Sequence, residues 1–153
     1  MKNELRIYSV AIIFFFLMIT SCSKKSAGID TASVPANDSV TSAVISGNYI
    51  ITSYTQKTED KTPQFTGFVF AFAANGKLFV VLNGTTTTGT WSYTPAVTYY
   101  GSTSKSAFVI NMGNSSPLAK LSKTWNITLI NKSSIKIDNP ELLEDEHLEF
   151  TRQ

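Results

Sequence analysis

Residues 68–94 read FVFAFAANGKLFVVLNGTTTTGTWSYT, and their reading decides the fold. Asn75-Gly76 and Asn83-Gly84 are both residue pairs preferred in two-residue type I′ hairpin turns, where both central positions need φ > 0. They bracket Lys77–Leu82, a short strand. Side chains along a strand alternate between faces, so residues 67–73 put Phe68, Phe70 and Phe72 on one side. By the same rule Thr85–Thr94 puts Gly89, Trp91 and Tyr93 together. Three strands joined by two tight turns form a meander.

Working outward, alternation predicts an opening strand at Asn48–Gln56, followed by a charged loop over 57–64 that holds Pro63. Further strands are expected at 106–112, 125–131, Ser134–Asp138 and 147–152. In 106–112, Phe108, Ile110 and Met112 share a face; in 147–152, Leu148 and Phe150 point inward while His147 and Glu149 point out. Between 116 and 123 the pattern suits one short helix, with Ser116 as N-cap, Pro117 in the first turn and Leu118 and Leu121 on one face. Abundant Ser and Thr, frequent Phe and Tyr, and few strong helix formers agree with an all-β chain. About eight antiparallel strands with short connections predict an up-and-down barrel, closed so that no edge is exposed. A two-sheet β-sandwich is the architectural alternative.

Several of these stretches, taken in order, carry a family resemblance: Phe68-Val-Phe-Ala-Phe-Ala-Ala-Asn-Gly76, Gly89-Thr-Trp-Ser92, Leu121-Ser-Lys-Thr-Trp125 and Leu148-Glu-Phe150. Together they resemble the small lipocalin-like lipoproteins of Bacteroidota over most of residues 47–153. The resemblance implies a lipocalin-like (calycin-like) barrel and no particular activity.

The N-terminus supplies a second resemblance. Lys2 and Arg6 precede an apolar run, residues 10–19, which is shorter than the about 20 residues a bilayer-spanning helix needs and suits a signal peptide. It ends in Ile19-Thr20-Ser21-Cys22, similar to a bacterial lipobox. Residues 1–21 are therefore expected to be a lipoprotein signal peptide, and Cys22, the only cysteine among 153 residues, the lipidated (palmitate-bearing) first residue of the mature protein. A lone cysteine makes no intramolecular disulfide and no cysteine-based zinc site. Ser23, Lys24 and Lys25 follow, in place of an inner-membrane retention signal or an acidic export cluster. By that resemblance the expected location is the outer membrane, with the domain facing the periplasm. Residues 22–45 read as the lipidated Cys and a flexible tether, whose coil spans roughly 25 Å, ahead of a domain at 46–153. Asp30-Thr31-Ala32 and Asp38-Ser39-Val40 resemble the O-glycosylation sequon of Bacteroidota envelope proteins, making Thr31 and Ser39 candidate acceptors.

Lys+Arg number 13 and Asp+Glu 11, a balance that gives no field for nucleic acid. The only histidine, His147, lies in an acidic run, 141–149, yet no ligand spacing encloses a metal, and a solvated loop is the simpler reading. No G-x-S-x-G elbow, phosphate-binding glycine loop or dinucleotide fingerprint is present. Glu59-Asp60 and Asp145-Glu146 are adjacent pairs of the kind loops present to solvent. The expectation is a non-enzymatic protein without cofactor or metal. Phe68, Phe70, Phe72, Trp91, Tyr93 and Trp125 either line a ligand-binding lumen or fill a core, since an eight-stranded barrel is wide enough for one small ligand or for its own side chains. Tyr99 and Tyr100, in the long connection 94–105, form a candidate contact surface or portal. The leading expectation is a membrane-anchored envelope lipoprotein that binds a hydrophobic small molecule or lipid. The alternative is a protein-interaction module, an assembly factor or inhibitor, whose filled barrel presents loops 57–64 and 94–105. An internal cavity discriminates between them.

Overall fold

Strand pairing runs in chain order around a closed ring in the computed structural model, which describes residues 37–153. Residues 1–21, expected to be a signal peptide, and Cys22 and Thr31 lie outside the described residues. The wall consists of β1 (Asn48–Gln56), β3 (Val69–Phe72), β4 (Lys77–Leu82), β5 (Thr85–Thr94), β8 (Ala107–Asn111), β9 (Lys123–Ile130), β10 (Ser134–Asp138) and β11 (Glu146–Arg152). Each is antiparallel to the next, and β11 pairs with β1 along nearly its whole length, from Tyr49 opposite Arg152 to Gln56 opposite Glu146. That last pairing closes the barrel and excludes the two-sheet sandwich. Three two-residue strands were not expected: β2 (Glu59–Asp60) on β1, and β6 (Thr98–Tyr99) with β7 (Ser102–Thr103) in a separate miniature hairpin.

The turns correct part of the sequence reading. Asn83 and Gly84 have φ of 49° and 79°, as a type I′ turn requires. At Asn75-Gly76 only Gly76 has positive φ. There Gly76 N–H donates to the Ala73 carbonyl, and Ala73 N–H to that of Lys77. This is a three-residue turn closed by a glycine bulge. The Asn75 side chain accepts from Lys77 N–H, so the asparagine serves as a local acceptor in place of a left-handed residue.

Residues 37–45 are not tether. Asn37–Val44 form α1, whose Val40 and Val44, one turn apart, are fully buried against the barrel. Tyr49 Oη donates to the Ala43 carbonyl at 2.8 Å and pins the helix end to β1. The segment is polar apart from those few aliphatics, and eight residues are too few for a helix stable alone; packing makes it. Among the described residues no helix is long and apolar enough to cross a membrane. The helix expected over 116–123 is a 3-10 turn, Leu118–Leu121, with no side-chain cap from Ser116 but with Leu118 and Leu121 buried as anticipated. A second 3-10 turn, Thr62–Phe65, tucks Phe65 against Tyr54, so loop 57–64 is largely folded back onto the barrel.

Candidate functional site

The lumen is filled by rings. Phe72 on β3 meets Tyr49 of β1, Trp91 of β5, Phe108 of β8 and Phe150 of β11, all at 5.5–5.7 Å between centroids and edge-on. These partners come from strands around the barrel, so one side chain bridges its width. Phe70 packs edge-on against Phe150 at 5.3 Å, and Phe68 continues the row. Trp125, fully buried, faces Tyr54 and donates its indole N–H to the Leu121 carbonyl; Trp91 donates to that of Ala73. Of the six aromatics singled out from the sequence, five are core, and Tyr93 packs against its margin. They support one another rather than lining an open cup.

At one end this core gives way to a buried charge. Glu146, the first residue of β11, is 3 % exposed. Its carboxylate accepts from Tyr54 Oη at 2.9 Å on one oxygen, and from Lys123 Nζ and Asn139 Nδ2, each at 2.5 Å, on the other. Lys123 also lies 5.2 Å from the Trp125 ring centroid. Burial pushes the Glu146 pKa up, but the bonds from Lys123, Asn139 and Tyr54 outweigh it and hold the group below its ordinary value. Burial, reinforced by donation to Glu146, pushes the Tyr54 phenol far up. Every buried side-chain polar atom among the described residues has a partner. The sequence reading took Glu146 as part of a solvated acidic loop. Its burial was nevertheless signalled, since it stands two residues before the inward-facing Leu148.

Beside this end an open groove of about 500 Å³ lies against the barrel wall. Ala96 and Lys105 from the β5–β8 connection border it, together with Asn126 and Thr128 of β9 and Pro140, Leu142 and Asp145 of the β10–β11 connection. His147 lines it too, with Nδ1 2.8 Å from Asp138 Oδ1 and Nε2 3.1 Å from Asp145 Oδ1. The hydrogen bond to Asp138 is the main reason its pKa is raised, and Asp145 adds to it. Both ring nitrogens are therefore engaged by carboxylates. Among the described residues no group of three or more His, Cys, Asp or Glu is placed to hold a metal.

The same two loops carry exposed apolar side chains. Tyr99 and Tyr100 are 70 % and 92 % exposed, Leu142 and Leu143 are 91 % and 87 %, and Val97 is more than half exposed. Tyr99 and Tyr100 stack edge-on at 4.3 Å at the tip of the β6–β7 hairpin. Tyr100 and Gly101 take φ of 47° and 79°, so the tip is a type I′ turn with a tyrosine where Asn or Gly is favoured. The tyrosines stand out from the barrel and do not cover its end. Leu142 and Leu143 were passed over in the sequence because the acidic run around them reads as uniformly solvated. Ser39 is exposed on α1 rather than in a linker, and it borders a different groove, between α1 and the β9–β10 turn.

No family model matches the chain, and no curated protein does. Among solved structures, a DUF4847 family protein from Bacteroides vulgatus is similar, with a TM-score of 0.51 and 13 % identity, over 72 % of this chain and 94 % of that one. At that identity the likeness is one of fold. It agrees with the barrel described above.

Proposed function

We propose that the protein is an envelope lipoprotein, anchored through Cys22 in the outer membrane and facing the periplasm, whose non-catalytic barrel is a protein-interaction module. The observation that carries this reading is the combination of a ring-filled lumen with five exposed apolar side chains on the two loops that border one groove. Isolated exposed apolar residues need no explanation, but a clustered set on neighbouring loops marks a contact surface. Tyr and Leu there supply the anchors, while Glu141, Glu144 and Asp145 give the Leu142-Leu143 loop, across the groove from Lys105, a negative charge that suits a basic partner surface. A small hydrophobic ligand, the other reading of the sequence, would need space that Phe72 and its neighbours occupy.

The test is photo-crosslinking in the native host from position 100, with Thr86 on the barrel wall as control position. A discrete protein adduct from position 100, abolished by Leu142→Asp and absent from position 86, supports the reading. No adduct, together with a small molecule retained by the purified protein in native mass spectrometry, would return the barrel to ligand carriage. Cys22→Ala tests the anchor separately: the lipid mass should disappear and the protein should leave the membrane fraction.

A further inference from the structure

The groove between α1 and the β9–β10 turn is separate from the loop surface and differs from it in chemistry. It measures about 630 Å³, within the range of small-ligand sites. Ala43 and Ile130 give it an apolar floor, Ser42 and Ser46 one wall, and Lys132 and Arg152 the other. Arg152 builds the groove, because its guanidinium donates to the Ser46 carbonyl on the α1 side and to the Lys132 carbonyl in the turn. Lys132 and Arg152 make none of the ion pairs found among the residues whose side chains are described. An apolar trough with two cations at its edge is complementary to an acyl chain carrying an anionic headgroup.

Its place in the chain agrees. α1 begins at Asn37, fifteen residues after Cys22 in sequence, so the groove-bearing helix is the first described element beyond the anchor. We infer that this groove is a docking site for an anionic phospholipid of the membrane that holds the lipid anchor, seating the barrel on its α1 side. The inference rests on the anchored reading above. Docking there would leave the tyrosine hairpin and the Leu142-Leu143 loop, which lie beyond the other end of β10, available to a partner. Attraction of Lys and Arg to an anionic surface falls off within a Debye length, so the seating is sensitive to salt.

The experiment uses the mature lipidated protein in vesicles of phosphatidylcholine alone, or of phosphatidylcholine with phosphatidylglycerol. Ser42→Cys introduces a thiol for an environment-sensitive fluorophore, since Cys22 is occupied by its thioether, and Thr86→Cys is the control position. Co-flotation with vesicles reports the anchor, and the fluorophore reports the groove. The expected result is a blue shift and several-fold shielding from acrylamide at position 42 in anionic vesicles. Neither should occur at position 86, and both should be lost in neutral vesicles, in high salt and in Lys132→Glu. Protein that floats while position 42 stays as quenchable as position 86 overturns the docking site and leaves the anchor intact. Equal shielding in neutral vesicles, or in Lys132→Glu, overturns the anionic headgroup. Protein that does not float overturns the anchor and the inference with it.

Discussion

Glu146 and His147 are neighbours on β11 facing opposite sides of the wall, and they respond to pH with opposite signs. Glu146 is held below its ordinary value of 4.5 in the folded protein, so its contribution is whole above pH 4.5 and is lost as pH falls through the folded value. His147 is held above its ordinary 6.5, so its contribution is whole below pH 6.5 and is lost as pH rises through the folded value. Both are complete between pH 4.5 and 6.5, and thermal denaturation should show its maximum there. Glu146→Gln should flatten the acid limb and Asp138→Asn the neutral one. Because His147 is the only histidine, one imidazole resonance suffices: NMR should find it titrating above 6.5, and lower in Asp138→Asn. Lys123→Met strands the Glu146 carboxylate without its cation. Removing one member of a buried pair costs ~3–5 kcal/mol, and Lys123 is partly exposed, so denaturant titration should read the lower end of that range. At the hairpin tip, a non-glycine residue in the left-handed region costs about 1–2 kcal/mol. Tyr100→Gly should therefore make the tip's amides more protected in hydrogen exchange while weakening the partner contact proposed for positions 99–100, separating local fit from use.

At the scale of elements, β5 shows why a glycine stands in a wall strand. A Cβ on Gly89 would collide with the Asn111 carbonyl and the Met112 sulfur, just past the last β5–β8 pair, Thr90 opposite Asn111, and a backbone oxygen cannot swing aside. Gly89→Ala should lower Tm by several degrees, whereas Thr88→Ala next to it should leave Tm nearly unchanged. Phe72→Ala opens the centre of the ring cluster and should cost about 3–5 kcal/mol in denaturant titration. The strands were legible because alternation and turn residues act locally. Asn48–Gln56, Lys77–Leu82, Thr85–Thr94 and Ser134–Asp138 fall within the bounds that pattern alone sets. What stayed illegible depends on distant partners. α1 has too few apolar residues to signal a helix until Val40 and Val44 meet the barrel. The Asn75-Gly76 turn took one residue more than its dipeptide implies. Glu146 obeyed alternation, but a carboxylate on an inward position reads as loop until Lys123, 23 residues earlier, is known to reach it. The tyrosine hairpin and Leu142-Leu143 were likewise separate in sequence, and only the fold places their loops on one groove.

For the whole molecule, α1 belongs to the folded unit, and the position of any N-terminal cut matters accordingly. Burying a valine side chain contributes roughly 1.5–3 kcal/mol, so a chain starting at Ser46 loses two such contributions and uncovers the core. It should unfold at distinctly lower denaturant than one starting at Ser26, with a matching gain in dye binding to exposed apolar surface. The ring-filled lumen bears on ligands in the same way, since a cup would need Phe72 and its partners to move together. The β1–β11 pairing has a consequence in time. The two strands that complete the ring are the first and nearly the last segments of the domain, and Gln153 N–H donates to the carbonyl of Asn48 itself. The ring therefore cannot close until residues 146–153 have left the ribosome, and, for a chain that is exported, have also passed through the translocation channel. Until then β1 waits with an unpaired edge. Such a chain stays threadable until β11 is free to pair, with no closed barrel to block the passage.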